Sequence, residues 1–225
     1  MTALTTEWAL ITICFVTYFV ISMVYKRLGV HNLQNALMTT NGLRFLNLKY
    51  ILGIVLFGVL SYIMMPELSY LVDTIEIPRI PLLLIFVLVF LLTAYISYLS
   101  IKIQCIEEVV DNNSCGFTLA WFYFLIRFTF LLGYEFFFRG VLLFKFLEFT
   151  TLPLAILYAT ILYVIIHSFD SKKEILGAIP FGVILCLFAF YTNSIWYAFL
   201  IHFSLSAIHE CYLFYHLTLK NNLIS

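Results

Sequence analysis

The chain has 225 residues, 64% of them hydrophobic and 11% charged, with a net charge of zero and a mean hydropathy of +1.05. Soluble domains run about 45–50% apolar and about 25% charged, so this composition excludes an ordinary soluble globule and marks an all-α, polytopic membrane protein. Balanced charge, without a basic run or a low-complexity tract, sets nucleic acid aside as a partner.

The N-terminus carries Glu7 and no base ahead of its first apolar run, the reverse of a secretory leader, so that run is expected to stay as a span. A span needs about 17–25 apolar residues. The first is read at residues 8–24, closed by Lys26 and Arg27, and a connecting segment follows with His31, Arg44 and Lys49. The second runs over 50–65 and ends at Pro66; a loop with Glu67, Asp73, Glu76 and Arg79 leads to a third, from Pro81 to about residue 99. The most polar stretch of the chain is next, with Lys102, Glu107, Glu108, Asp111, Asn112 and Asn113. A fourth apolar run, 117–132, continues to about residue 149, long enough for a span plus a second helix starting near Gly133. Residues 152–169, 175–191 and 195–217 complete a bundle of about seven spans, joined by the turns 170–173 and 192–194. No linker or composition shift divides the chain, so one membrane domain is expected over 1–225.

Orientation follows from the Lys/Arg bias of short loops. The first loop has Lys26, Arg27, Arg44 and Lys49 and no acid, which predicts a cytoplasmic loop and an outside N-terminus; Lys172, Lys173 and Lys220 then fall inside. Trp8, Trp121 and Trp196 lie near segment ends, as interfacial aromatics do. The five cysteines are odd in number and have no CxxC spacing, which points to neither a disulfide framework nor a cysteine zinc cluster.

The chemistry concentrates in Leu132-Gly133-Tyr134-Glu135-Phe136-Phe137-Phe138-Arg139-Gly140. Glu135 and Arg139 are one helical turn apart on one face, where they can pair. A charge at bilayer depth costs about 2.5–3.5 kcal/mol even on the mild insertion scale, so ionisable residues inside spans are functional candidates; the alternative is a structural ion pair that locks helices. His167 and His202 also interrupt apolar helices, and Ser206, one turn after His202, can orient its imidazole or a bound water. A lone intramembrane His is most often a packed residue bonded to a neighbouring helix. Taken together, an acid, two imidazoles and a cation are a set able to activate water against a carbonyl carbon.

These residues, in this order, resemble the CPBP family of intramembrane proteases: CAAX prenyl proteases and bacteriocin-processing enzymes, also called Abi. The family's first motif, two glutamates, three residues and an arginine, falls with its second glutamate on Glu135 and its arginine on Arg139. Its second motif, aromatic-x-x-x-His, falls on Tyr163 and His167; its third, His-x-x-x-Asn or a small polar residue, on His202 and Ser206. The resemblance runs from Leu132 to Ser206 and implies a family-like core of about 117–217, with Glu135, Arg139, His167, His202 and Ser206 as catalytic residues and Tyr134 and Tyr163 in support. It departs from the family at one position: Tyr134 stands where the first glutamate, the general base on the attacking water, is expected. A phenol of pKa near ~10 is a poor base but can donate to an oxyanion. Either Glu135 takes over as base or the site no longer cleaves. Glu135, His167 and His202 are also candidate ligands for a divalent metal such as zinc, although no HExxH-type spacing points to one.

Two functions follow. The first is an intramembrane endopeptidase that cuts a membrane-associated peptide or lipidated protein. The second is an inactive relative that binds a membrane partner as a regulator or bacteriocin-immunity protein. A proton-coupled transporter is disfavoured, since the two halves show no internal repeat. Among the remaining polar residues, His209 and His216 extend the face of His202 towards the cytoplasmic end, and Arg127 is read as a second cation or a structural pair. Glu107-Glu108 lacks an arginine four residues on and is rejected as the motif; the triple phenylalanine is read as helix packing.

Overall fold

The computed structural model describes residues 2–107 and 117–220; Glu108, Asp111, Asn112, Asn113 and Cys115 lie outside the described residues. It is a helix bundle, without a strand among the described residues. In order these are α1 (Thr2–Arg27), the short α2 (Leu33–Leu37), α3 (Gly42–Gly53), which continues through a π turn (Ile54–Val59) into α4 (Leu60–Met64), the one-turn α5 (Tyr70–Asp73), and α6 (Ile80–Glu107). Then come α7 (Phe117–Glu135), a second π segment (Phe136–Leu142), α8 (Leu143–Leu147), α9 (Leu152–Ile166), α10 (Lys172–Thr192) and α11 (Trp196–Phe214).

Local chemistry sets the breaks. Gly29 ends α1 with φ +69, and the Val30 and Gly29 N–H groups reach back to the carbonyls of Tyr25 and Lys26, both at 3.1 Å, the paired bonds of a glycine-terminated helix. Asn32 caps α2 by accepting from the Asn35 N–H at 2.9 Å, and Ser171 caps α10 by accepting from the Glu174 N–H at 3.3 Å. The fourth apolar run differs from expectation. The chain does not break at Gly133; it stays helical to Leu147 and changes hydrogen-bond register over Phe136–Leu142. Gly133 serves instead as a crossing point: a Cβ there would stand 3.1 Å from Cα and N of Gly58, so a side chain would push the two backbones apart by a few tenths of an ångström.

Among the described residues, five segments are long and apolar enough to cross a membrane: Thr6–Arg27, Gly42–Met64, Ile80–Ile103, Leu152–Phe169 and Lys172–Thr192. The two other predicted spans are α7 with its continuation and α11, whose apolar character is diluted by Arg127, Glu135, His202, His209 and Glu210. Those two helices hold the polar residues of the interior. The outer helix is α6, which turns Leu84, Leu88 and Leu91 outward, as a lipid-facing helix must. Two polar clips fasten it to α11: Thr93 Oγ1 to Ser204 Oγ at 2.9 Å, and Ser97 Oγ donating to the Leu205 carbonyl at 2.6 Å.

One end of the bundle is tied by Lys145, whose ammonium meets Glu7 at 2.8 Å and Glu67 and Glu148 at 2.9 Å. At that end, too, Trp196 Nε1 donates to the Val72 carbonyl at 2.7 Å and Tyr197 Oη to the Glu76 carbonyl at 2.7 Å. The start of α1, the α4–α6 connection, the end of α8 and the start of α11 therefore share one side.

Candidate active site

Glu135 is the last residue of α7 and is fully buried. Its Oε1 lies 2.5 Å from Nδ1 of His202 on α11, and its Oε2 lies 3.3 Å from Nε of Arg139. The change to π register follows directly after Glu135 and carries Arg139, buried to 1% exposure, into the same interior. The Arg139 guanidinium lies 4.0 Å over the ring of Tyr163, a cation–π contact that holds the charge between an acid and an aromatic face.

His167 opens the single 3-10 turn after α9. Its Nδ1 stands 2.8 Å from the Tyr163 carbonyl, which only accepts, so Nδ1 carries the proton and donates. The hydroxyl of Tyr134 is 3.4 Å from the same nitrogen. Because Nδ1–H is already the donor there, the phenolic proton of Tyr134 is free to point elsewhere. The tautomer of His202 follows from the same logic: Nδ1–H donates to the Glu135 carboxylate. Each histidine is thereby left with Nε2 as the nitrogen that can take a proton.

The rings of His167 and His202 flank Tyr134, at centroid distances of 6.2 and 6.1 Å, and both also meet Tyr163, at 4.4 and 6.5 Å. Glu135, Arg139, Tyr134, Tyr163, His167 and His202 thus converge from α7, the π segment, α9 and α11. Phe181 of α10 lies edge-on to His202 at 5.4 Å.

Ser206 lies one turn after His202 on α11. It is buried at 8% exposure, and no hydrogen bond joins it to His202 among the described residues; the imidazole is oriented by Glu135 from another helix. The candidate metal ligands Glu135, His167 and His202 are not arranged as a metal set. One oxygen of Glu135 faces the His202 N–H and the other the Arg139 guanidinium, and among the described residues no three His, Cys, Asp or Glu side chains are grouped to hold an ion.

A second polar cluster settles Arg127, which forms a structural pair. Its Nε lies 2.7 Å from Oε1 of Glu210, Tyr123 Oη donates to Oε2 of Glu210 at 2.7 Å, and the guanidinium stacks over Tyr50 at 5.0 Å. Sequence reasoning passed over Glu210. An acid eight residues beyond His202 in an apolar helix was the available signal. Of the two further histidines, His216 stacks on Tyr212 at 6.4 Å, and His209 neighbours Glu210.

Residues 116–208 match the model of the family described as type II CAAX prenyl endopeptidase Rce1-like. No curated protein and no solved structure matches the chain. The matched region starts at the head of α7 and ends in α11, two residues past Ser206, and so contains every residue of the cluster around Glu135. Over that region the chain is similar to the Rce1-like family of CAAX-protease type.

Proposed function

We propose that the protein is an intramembrane endopeptidase that hydrolyses a membrane-associated peptide or lipidated protein. The observation that carries this reading is the buried Glu135–His202 pair facing His167 across Tyr134. Glu135 has both oxygens engaged, so its role in this reading is to hold His202 rather than to meet water itself. His202 Nε2 takes a proton from water, and the water oxygen bonds to the scissile carbonyl carbon. The C–N bond then breaks, and the proton on Nε2 passes to the leaving amine. The free phenolic proton of Tyr134 and the imidazole of His167 are the groups nearest to a developing oxyanion. Arg139 balances the charge of Glu135 from the opposite side.

One observation favours the second reading, a non-catalytic regulator or immunity protein that binds a membrane partner. Tyr134 replaces the family's first glutamate and is packed on by Phe57, Phe130, Phe138 and Tyr163, which leaves no carboxylate there to activate water. Purified protein in liposomes, given lipidated and unlipidated membrane peptides, separates the two by mass spectrometry of products. Cleavage abolished by His202→Ala and by His167→Ala supports the enzyme; binding without cleavage in the wild type supports the regulator.

A further inference from the structure

The connection between α1 and α3 gathers hydrogen-bond donors around one residue, His31. Gly29 turns the chain back on α1, and the Lys26 ammonium comes to 3.1 Å from Nε2 of His31. Asn32 follows as the cap of α2. Its Oδ1 accepts from the Asn35 N–H at 2.9 Å, which leaves Nδ2 as the atom that faces Nε2 of His31, at 3.4 Å. From α3, 18 residues further along the chain, the Lys49 ammonium reaches the His31 carbonyl at 3.4 Å. Lys49 is only 9% exposed, so packing fixes where its charge sits.

Donors outnumber acceptors in this cluster. Each ammonium brings three N–H groups and the Asn32 amide two, while the acceptors they meet are one ring lone pair and one carbonyl. The charge is also one-sided. Among the described residues no carboxylate lies within ion-pair distance of Lys26, Arg27, Arg44 or Lys49; Asp170 is the acid that acts on Lys26 and Lys49, from farther away. His31 takes none of the charge, because burial and the two ammonium groups lower its pKa and keep the ring neutral. The group that complements such a cluster is an anion with several acceptor oxygens, which is the chemistry of a phosphate.

Position separates a lipid phosphate from a dissolved one. The segment Thr6–Arg27 ends and the segment Gly42–Met64 begins here, so His31 and Asn32 stand at the depth where hydrocarbon gives way to headgroups. In the adjoining turns of the chain Val24, Leu28, Phe45, Leu48 and Leu52 are exposed apolar side chains, a surface suited to acyl chains. We propose that Lys26, His31, Asn32 and Lys49 form a binding site for the phosphate headgroup of an anionic phospholipid. The two ammonium groups and the Asn32 amide donate to phosphate oxygens, His31 holds the two lysines in place, and the acyl chains lie along α1 and α3. None of these residues falls in the 116–208 match, and the site holds whether or not the protein cleaves peptides.

The test uses the purified full chain in a neutral detergent, with bound lipid counted by native mass spectrometry as phosphatidylglycerol or phosphatidylcholine is titrated. The wild type should bind phosphatidylglycerol more tightly than phosphatidylcholine. Lys26→Gln should weaken that binding by about fivefold, the effect of one basic side chain at an anionic lipid surface. Asn32→Asp is the sharper variant, because it keeps the oxygen that caps α2 and puts a negative oxygen in place of the donor; binding should fall further than in Lys26→Gln, at an unchanged melting temperature. Replacing Lys172 and Lys173 by Gln removes two exposed charges from the α9–α10 turn and should leave binding close to that of the wild type. Equal affinity for the two lipids, undiminished binding in Asn32→Asp, or a loss in the Lys172 and Lys173 control as large as in Lys26→Gln overturns the proposal. Inorganic phosphate that competes at the same concentration as phosphatidylglycerol overturns it too, since the acyl chains would then contribute nothing.

Discussion

Glu135 and His202, 67 residues apart in the chain, meet at 2.5 Å in an interior where the carboxylate is fully buried. Removing the charge of Glu135 should have two separable effects. Glu135→Gln leaves the Arg139 guanidinium buried without its counter-charge, which costs roughly 3–5 kcal/mol of stability, and it loosens the orientation of His202. The companion variant Arg139→Gln should destabilise to a similar extent, and the double variant should recover part of the loss. Thermal unfolding of the four proteins in one detergent checks this; additive losses in the double variant would show that the two groups do not interact.

Cleavage, where it is measured, should fall by about 10²–10⁴-fold in His202→Ala, the range for a lost general base. Tyr134→Phe removes only a hydroxyl that can donate to an oxyanion and should cost at most about 10²–10³-fold. Tyr134→Glu restores the family's glutamate pair beside Glu135. In a protein that already works through His202 it should bring no gain, since two adjacent carboxylates repel each other; a gain of cleavage from an inactive wild type would support the regulator reading.

Packing at the Gly58–Gly133 crossing gives a prediction independent of catalysis. Gly133→Val places atoms where the neighbouring backbone stands 3.1 Å from the first added carbon. The helices must part, and overpacking of this kind costs typically about 1–3 kcal/mol. The measurement is a melting temperature beside that of Gly177→Ala, where an added Cβ meets nothing within 4 Å. Equal behaviour of the two variants would remove the close crossing from the account.

His31, in the turn between α1 and α2, gives the protein a pH response away from the interior. Burial, with Lys26 and Lys49 nearby, lowers its pKa from 6.5 to about 4. The ring accepts a contact from the Lys26 ammonium at 3.1 Å, which requires it to be neutral. The unfolded chain takes up the proton first as pH falls, so this contribution to stability is complete above pH 6.5 and is lost as pH drops from 6.5 towards 4. A scan of melting temperature against pH should therefore be steeper over that window in the wild type than in His31→Gln. Identical slopes would rule His31 out as the source.

Topology is testable from either side of the membrane. The basic loop with Lys26, Arg27, Arg44 and Lys49 predicts that this end faces the cytoplasm and that the Lys145 cluster with Glu7, Glu67 and Glu148 faces outward. With the native cysteines replaced, a cysteine at Asn32 should resist an impermeant thiol reagent in intact cells and react once they are opened. Reaction in intact cells would invert the orientation.

Much of this was legible in the amino-acid sequence, because in lipid an apolar run of span length and a charge inside it are strong signals. The all-α membrane bundle and the pairing of Glu135 with Arg139 one turn apart needed only helical spacing and the cost of polarity. What spacing cannot do is look across helices. It offered Ser206 as a group that can orient His202 or a water, since that is the neighbour on its own helix; the Glu135 carboxylate that meets His202 comes from α7. Helical spacing passed over Glu210 as the partner of Arg127, and over Lys145 as the tie between three segments, for the same reason. It suggested a second helix starting near Gly133, where the structure uses the missing side chain to bring two backbones together. Local sequence sets which residues must leave the lipid; only the packing of one helix on another decides which of them meet, because the contacts that satisfy a buried charge are made between segments far apart in the chain.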